Sequence, residues 1–158
     1  MPKSNKTTKV LDKGIRKTMK QKPVKIKPNQ TANIVKSFLE MLNAIKLYHW
    51  KTESYSQHQA TDQLHEELSE HVDKFVEVLL GKEQKSYKKY RVVMVEKHMK
   101  MMDSRGERDF IQKIHNYRTM LIDMDRFLNK KKDSDLLNIR DEMLSNINQF
   151  LYLLSFDK

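Results

Sequence analysis

The sequence predicts an all-α protein: a four-helix bundle with a long middle connection, preceded by a disordered basic N-terminal arm. Three observations carry this. After Pro28 the chain holds no proline and only two glycines, Gly81 and Gly106, both placed where the apolar periodicity breaks, which is the punctuation of long helices. Between those breaks the apolar residues recur at three- and four-residue spacing. The third is the placement of charge. The 158 residues carry a formal net charge of +10, yet residues 1–28 contain ten basic side chains against one acid, Asp12. The arm therefore holds +9 of the total, and the remaining 130 residues are nearly neutral.

Taken in order, residues 1–30 form the arm. All three prolines (Pro2, Pro23, Pro28) fall there, large apolar residues are sparse, and like charges repel, so the segment buries too little surface to offset chain ordering. Val10, Leu11, Ile15 and Met19 are spaced to form a short amphipathic helix on an anionic partner, although Gly14 opposes it. Residues 31–158 form the bundle. Helix one is expected from Thr31 to about Trp50, with a stripe of Ile34, Phe38, Met41, Leu42 and Ile45. Helix two runs from about His58 to Leu80 on the seam Leu64, Leu68, Val72, Phe75 and Leu79, and Gly81 is its expected stop. Residues 82–104 are polar and rich in Lys and Met, and are read as a connection with a shorter helix near 88–101. Helix three covers about 107–129 on Phe110, Ile111, Ile114, Tyr117, Leu121, Met124 and Leu128. Helix four starts with Ser134 or Asp135 as N-cap and carries Leu136, Leu137, Ile139, Met143, Leu144, Ile147, Phe150, Leu151 and Leu154.

Several function classes drop out at once. Without cysteine there is no disulfide framework, thiol nucleophile, iron–sulfur cluster or Cys-ligated zinc. No stretch approaches the ~20 apolar residues of a membrane span, and the N-terminus lacks the apolar core of a secretion signal. An intracellular protein that is not secreted is the expectation.

The unusual polar placement is densest between His49 and Glu77. His49 and His58 flank a short loop, and Asp73 and Glu77 stand one turn apart on helix two. Two imidazoles with two carboxylates suit a divalent first-row metal, nitrogen favouring Fe(II) and carboxylate remaining a good partner after oxidation. At 100° per residue from His58, the apolar seam lies at about 240–320°, Asp73 near 60° and Glu77 near 100°. The carboxylates thus point away from the bundle core, toward solvent or another subunit. No Glu-x-x-His occurs, which argues against a di-iron site inside one bundle. Taken alone, Asp73 and Glu77 read as solvated charge, His49 as a packing or capping residue, His65 and His71 as surface histidines, and the ten methionines as gap-filling residues.

The order His49-Trp50, a loop with the aromatic Tyr55, His58, then Asp73-x-x-x-Glu77 resembles the DNA-binding, iron-storing ferritins of starved bacteria, the Dps family. The likeness covers about 31–81 and elsewhere rests on helix count. The loop between the histidines is shorter than the family's and lacks its glycine. The last helix, with Asp141-Glu-Met-Leu and Phe150-Leu-Tyr-Leu-Leu, is similar to ferritin-like proteins of large DNA viruses. The resemblance implies a ferritin-like bundle in a homo-oligomer built from dimers, up to a dodecamer. It further implies a ferroxidase site for iron in which His49 and His58 of one chain meet Asp73 and Glu77 of a two-fold partner. Hydrogen peroxide or dioxygen would be the oxidant, and Glu66, Glu67 and Glu70 would face the mineral. The location it implies is cytoplasmic, on the nucleoid or in a virion.

The arm adds a second expectation. Lys3, Lys6, Lys9, Lys13, Arg16, Lys17, Lys20, Lys22, Lys25 and Lys27 neutralise phosphates without reading bases, so DNA binding is expected to be sequence-independent and steeply salt-dependent. The alternatives are an arm for any polyanion or a targeting signal around Lys20–Lys27. For the whole chain they are a non-catalytic DNA-compacting or virion structural protein, or a helical adaptor whose histidine-rich face is a protein interface.

Overall fold

The computed structural model describes residues 28–82 and 98–156, and every regular element among them is helical. The long helices are α1 (Pro28–Lys51), α2 (Tyr55–Lys82), α3 (Glu107–Asp123) and α4 (Ser134–Leu154), with a single 3-10 turn, Met124–Arg126, following α3. Each contributes an apolar stripe to one core. Phe38, Met41 and Ile45 come from α1, Leu68, Phe75 and Leu79 from α2, Phe110, Ile114 and Leu121 from α3, and Leu136, Met143 and Ile147 from α4. Aromatic contacts tie the layers together: Phe38 meets Phe75 edge-on at 5.2 Å, and Phe110 meets Phe150 edge-on at 6.0 Å.

The helices form a closed square in which α1 and α4 each pack chiefly on α2 and α3. That makes α1 and α4 diagonal to each other, and α2 and α3 likewise. Their directions follow from which ends meet. Lys51, at the end of α1, bonds Asp103 and the Ser104 carbonyl just before α3. Lys82, at the end of α2, bonds the Lys132 carbonyl and the Asp133 carboxylate at the start of α4. So α1 and α4 run one way, and α2 and α3 the other. The chain from Lys82 to Glu107 must therefore travel the whole length of the bundle, about 40 Å at 1.5 Å per residue of α2. Its last part lies along α1: Lys100 N–H donates to Glu40, and Asn43 contacts the Met101 sulfur.

Element ends differ from the sequence expectation for identifiable reasons. α1 already includes Pro28, ahead of the expected Thr31, and proline suits the first turn of a helix, where its missing N–H has no partner to lose. α2 starts at Tyr55, not His58, with Ser54 Oγ accepting the Gln57 N–H. It also runs through Gly81 instead of stopping there, since the Lys82 ammonium is anchored on the α4 start. α3 ends at Asp123 rather than 129. The buried Arg140 guanidinium takes the Leu121 carbonyl at 3.0 Å and Asp125 at 2.9 Å, which terminates the helix while Met124 and Leu128 stay in the core. The N-cap of α4 is Asp133, not Ser134 or Asp135, and its carboxylate turns back to accept the Asn129 N–H instead of capping. Of the short helix expected near 88–101, residues 88–97 lie outside the described residues and 98–101 are irregular. The expected arm, residues 1–27 and its ten basic side chains included, lies outside them too. No described helix is long and apolar enough to cross a membrane.

Candidate metal centre

α1 and α2 are joined by only three residues, Thr52, Glu53 and Ser54. The link is held shut by Thr52 N–H donating to the Tyr48 carbonyl, Ser54 N–H to Thr52 Oγ1, and His58 N–H to the Ser54 carbonyl. Beneath it a buried polar cluster fixes the two helix ends against each other. Tyr48 Oη donates to Gln57 Oε1 at 2.7 Å, Thr61 Oγ1 donates to the Gln57 carbonyl, and the Tyr48 ring stacks on Phe110 at 3.9 Å. Burial pushes the Tyr48 hydroxyl pKa up, so it remains a donor.

This corner brings His49 and His58 together. Their rings stack with centroids 3.8 Å apart, and each Nδ1 bonds the other residue's main-chain carbonyl, at 3.0 Å from His49 and 2.9 Å from His58. The His49 carbonyl belongs to the last turn of α1, where helical carbonyls lack a partner, so His58 serves it as a cap. A carbonyl oxygen only accepts. Both Nδ1 atoms therefore carry a proton, and in the neutral ring Nε2 is the lone-pair nitrogen. This is the tautomer a metal-binding imidazole needs, imposed by the backbone.

Asp62, one turn after His58, completes the corner. Its Oδ1 lies 3.7 Å from His49 Nε2 and accepts a hydrogen bond from Lys46 Nζ at 3.0 Å. That bond and the Lys46 charge hold the Asp62 carboxyl pKa below its usual value, with smaller contributions from His49 and His58. When His49 is neutral, its Nε2 lone pair and the Asp62 oxygen face each other, an arrangement that a cation relieves. Two ligands with ~2.1 Å bonds in tetrahedral geometry stand about 3.4 Å apart, so the donor pair fits a first-row metal with a shift of a few tenths of an ångström. The sequence reading missed Asp62. Its signal was available: at 40° on the wheel it shares the outward face with His58, Asp73 and Glu77.

Asp73 and Glu77 are exposed, on the face of α2 opposite the apolar seam. Within one chain they do not reach the histidines, because Asp73 stands about 22 Å along the helix from His58. Among the described residues, no group of three or more His, Asp or Glu side chains converges to hold a metal ion. His65 is half-buried, and burial foremost, then the Lys46 charge, pushes its pKa down. His71 lies 3.5 Å from Glu142 across the α2–α4 contact. His58, Asp62 and Glu66 line one side of an open groove of about 680 Å³, and Leu153 and Leu154 of α4 with Phe156 just beyond it line the other. Around the histidine corner, Trp50 and Tyr55 are strongly exposed, at 69% and 76%.

Fold and side chains together define an all-α, four-helix protein with a paired-histidine corner opening onto an acidic helix face. Residues 49–154, from His49 through Leu154, match a protein family of unknown function, DUF5856, and the chain belongs to that family. No curated protein and no solved structure matches the chain.

Proposed function

We propose that this protein is a ferritin-like, Dps-like iron-binding ferroxidase that also holds DNA non-specifically through its basic arm. The observation that carries the reading is the His49–His58 pair, with both Nδ1 protons committed to backbone carbonyls and Asp62 beside His49 Nε2. The connectivity supports it, since a bundle with one end-to-end crossover and diagonal first and last helices is ferritin-like in topology.

The remaining ligands come from a second copy. If two α2 helices cross antiparallel about a two-fold axis near Glu66 and Glu67, His58 of each faces the Asp73–Glu77 turn of the other. The neighbouring face of α1 favours such a contact. Leu39 and Trp50 are exposed on the same stripe as Lys46, which already reaches across to α2. Iron is the substrate. His49 and His58 bind Fe(II), and the carboxylates hold the harder Fe(III). Two Fe(II) ions give one electron each, and one hydrogen peroxide is reduced to two hydroxides.

The test is an anaerobic Fe(II) titration followed by peroxide, reading ferric absorbance, with light scattering in parallel. Saturable binding and fast oxidation by an oligomer, both lost in His58→Ala with Asp73→Ala, support the reading. A monomer, or oxidation no faster than in buffer, removes the shared site and leaves a DNA-compacting bundle. Loss of the arm is expected to abolish DNA binding at low salt in either case.

A further inference from the structure

The basic arm leaves the body at one particular end of the bundle. The start of α1 sits beside the end of α3, where Gln30 and Ile34 share a groove with Met124 and Phe127. Three residues past Phe127 the α3–α4 turn presents Lys130, Lys131 and Lys132, all exposed. We propose that this tri-lysine turn is a second contact for duplex DNA, gripping the phosphate backbone on the body itself. The inference rests on the reading that the chain binds DNA.

Two features of the turn suit it to this role. It is stiff: Asn129 Oδ1 accepts the N–H groups of Lys131 and Lys132, the Asn129 carbonyl accepts that of Asp133, and Asp133 Oδ2 accepts the Asn129 N–H. The ammonium groups are thus displayed from an ordered backbone, which lowers the entropic cost of holding them on a ligand. The turn's own acids are also spent elsewhere. Lys82 Nζ bonds both Asp133 and Asp135, and among the described residues no ion pair reaches Lys130, Lys131 or Lys132. Counting Lys82 against both acids, the turn keeps a net charge of +2 on one small loop.

The two bundle ends differ in this respect. At the far end Lys51 and Lys113 are neutralised by Asp103 and Asp109. Neighbouring helix axes lie 8–10 Å apart, so the arm root on α1 and the turn between α3 and α4 fall within the ~12 Å width of a major groove or just across it. Phosphates, at one charge per ~1.7 Å of duplex, are dense enough to meet both at once.

The experiment measures full-length protein binding to a 30-base-pair duplex by fluorescence anisotropy between 50 and 300 mM salt. Substituting Lys130, Lys131 and Lys132 together by Gln is expected to reduce the slope of log affinity against log salt by about 2–3, at ~0.9 per lost contact, and to weaken binding at 100 mM by more than tenfold. Replacing all three by Arg is expected to restore the wild-type slope. Gln at Lys100, Arg105 and Arg108, an equal charge loss away from this end, is expected to change the slope by less than one. An unchanged slope in the turn variant, or an equal loss in both Gln variants, overturns the inference while leaving arm binding intact. Wild type that binds no DNA overturns the underlying reading with it.

Discussion

Lys46 is the most informative residue to change, because its ammonium does the work of a cation at Asp62. Its ammonium lies 3.0 Å from the same Asp62 oxygen that faces His49 Nε2. A metal ion bonded to Asp62 at ~2.1 Å would sit about 5 Å from Lys46 Nζ. At bulk-water permittivity, with about half of the repulsion screened at 0.15 M salt, removing that charge is worth roughly fivefold in dissociation constant. Freeing Asp62 from its hydrogen bond adds to this, so Lys46→Gln is expected to bind a divalent ion about tenfold tighter. Anaerobic calorimetry with Co(II), a redox-inert probe read also by its visible absorption, measures it directly. The gap between variant and wild type is expected to widen at 20 mM salt. Unchanged or weaker binding in Lys46→Gln, in a preparation where His58→Ala abolishes binding, would show that the metal does not use Asp62.

Two further predictions concern the scaffold. The Tyr117 hydroxyl is buried with no hydrogen-bond partner among the described residues, and burial foremost, then the Glu40 charge, pushes its pKa up to about 12. A raised folded pKa contributes stability that is fully present below pH 10 and lost as pH rises toward 12. Tyr117→Phe is therefore expected to raise stability by about 1 kcal/mol at pH 7 and to lose less between pH 10 and 12, read from urea midpoints. A destabilised Phe variant would mean the hydroxyl is satisfied. Arg140→Ala is expected to cost about 2–3 kcal/mol, since it takes a charged donor from the buried Leu121 carbonyl and leaves Asp125 without its cation. Arg140→Lys is expected to recover only part, because one ammonium cannot hold the fork between the two partners.

By itself the sequence determined the helices, their buried stripes and the outward direction of Asp73 and Glu77. Those follow from local periodicity, and a residue's face on a helix depends only on its neighbours along the chain. It also placed His49 and His58 at either side of a tight connection. Tertiary structure decided what lies across from what. The short, glycine-free link brings the two rings into contact because both helices extend toward each other and because a buried Tyr48–Gln57–Thr61 cluster clamps them. Asp62 gains its meaning only from Lys46 and His49 on a different helix. Gly81 reads as a stop, yet Lys82 is held from fifty residues away and α2 passes through. Arg140 ends α3 early from α4. In each case a long-range hydrogen bond or ion pair outweighs a local preference of a few tenths to about 1 kcal/mol, and no periodicity along the chain records which distant partner supplies it.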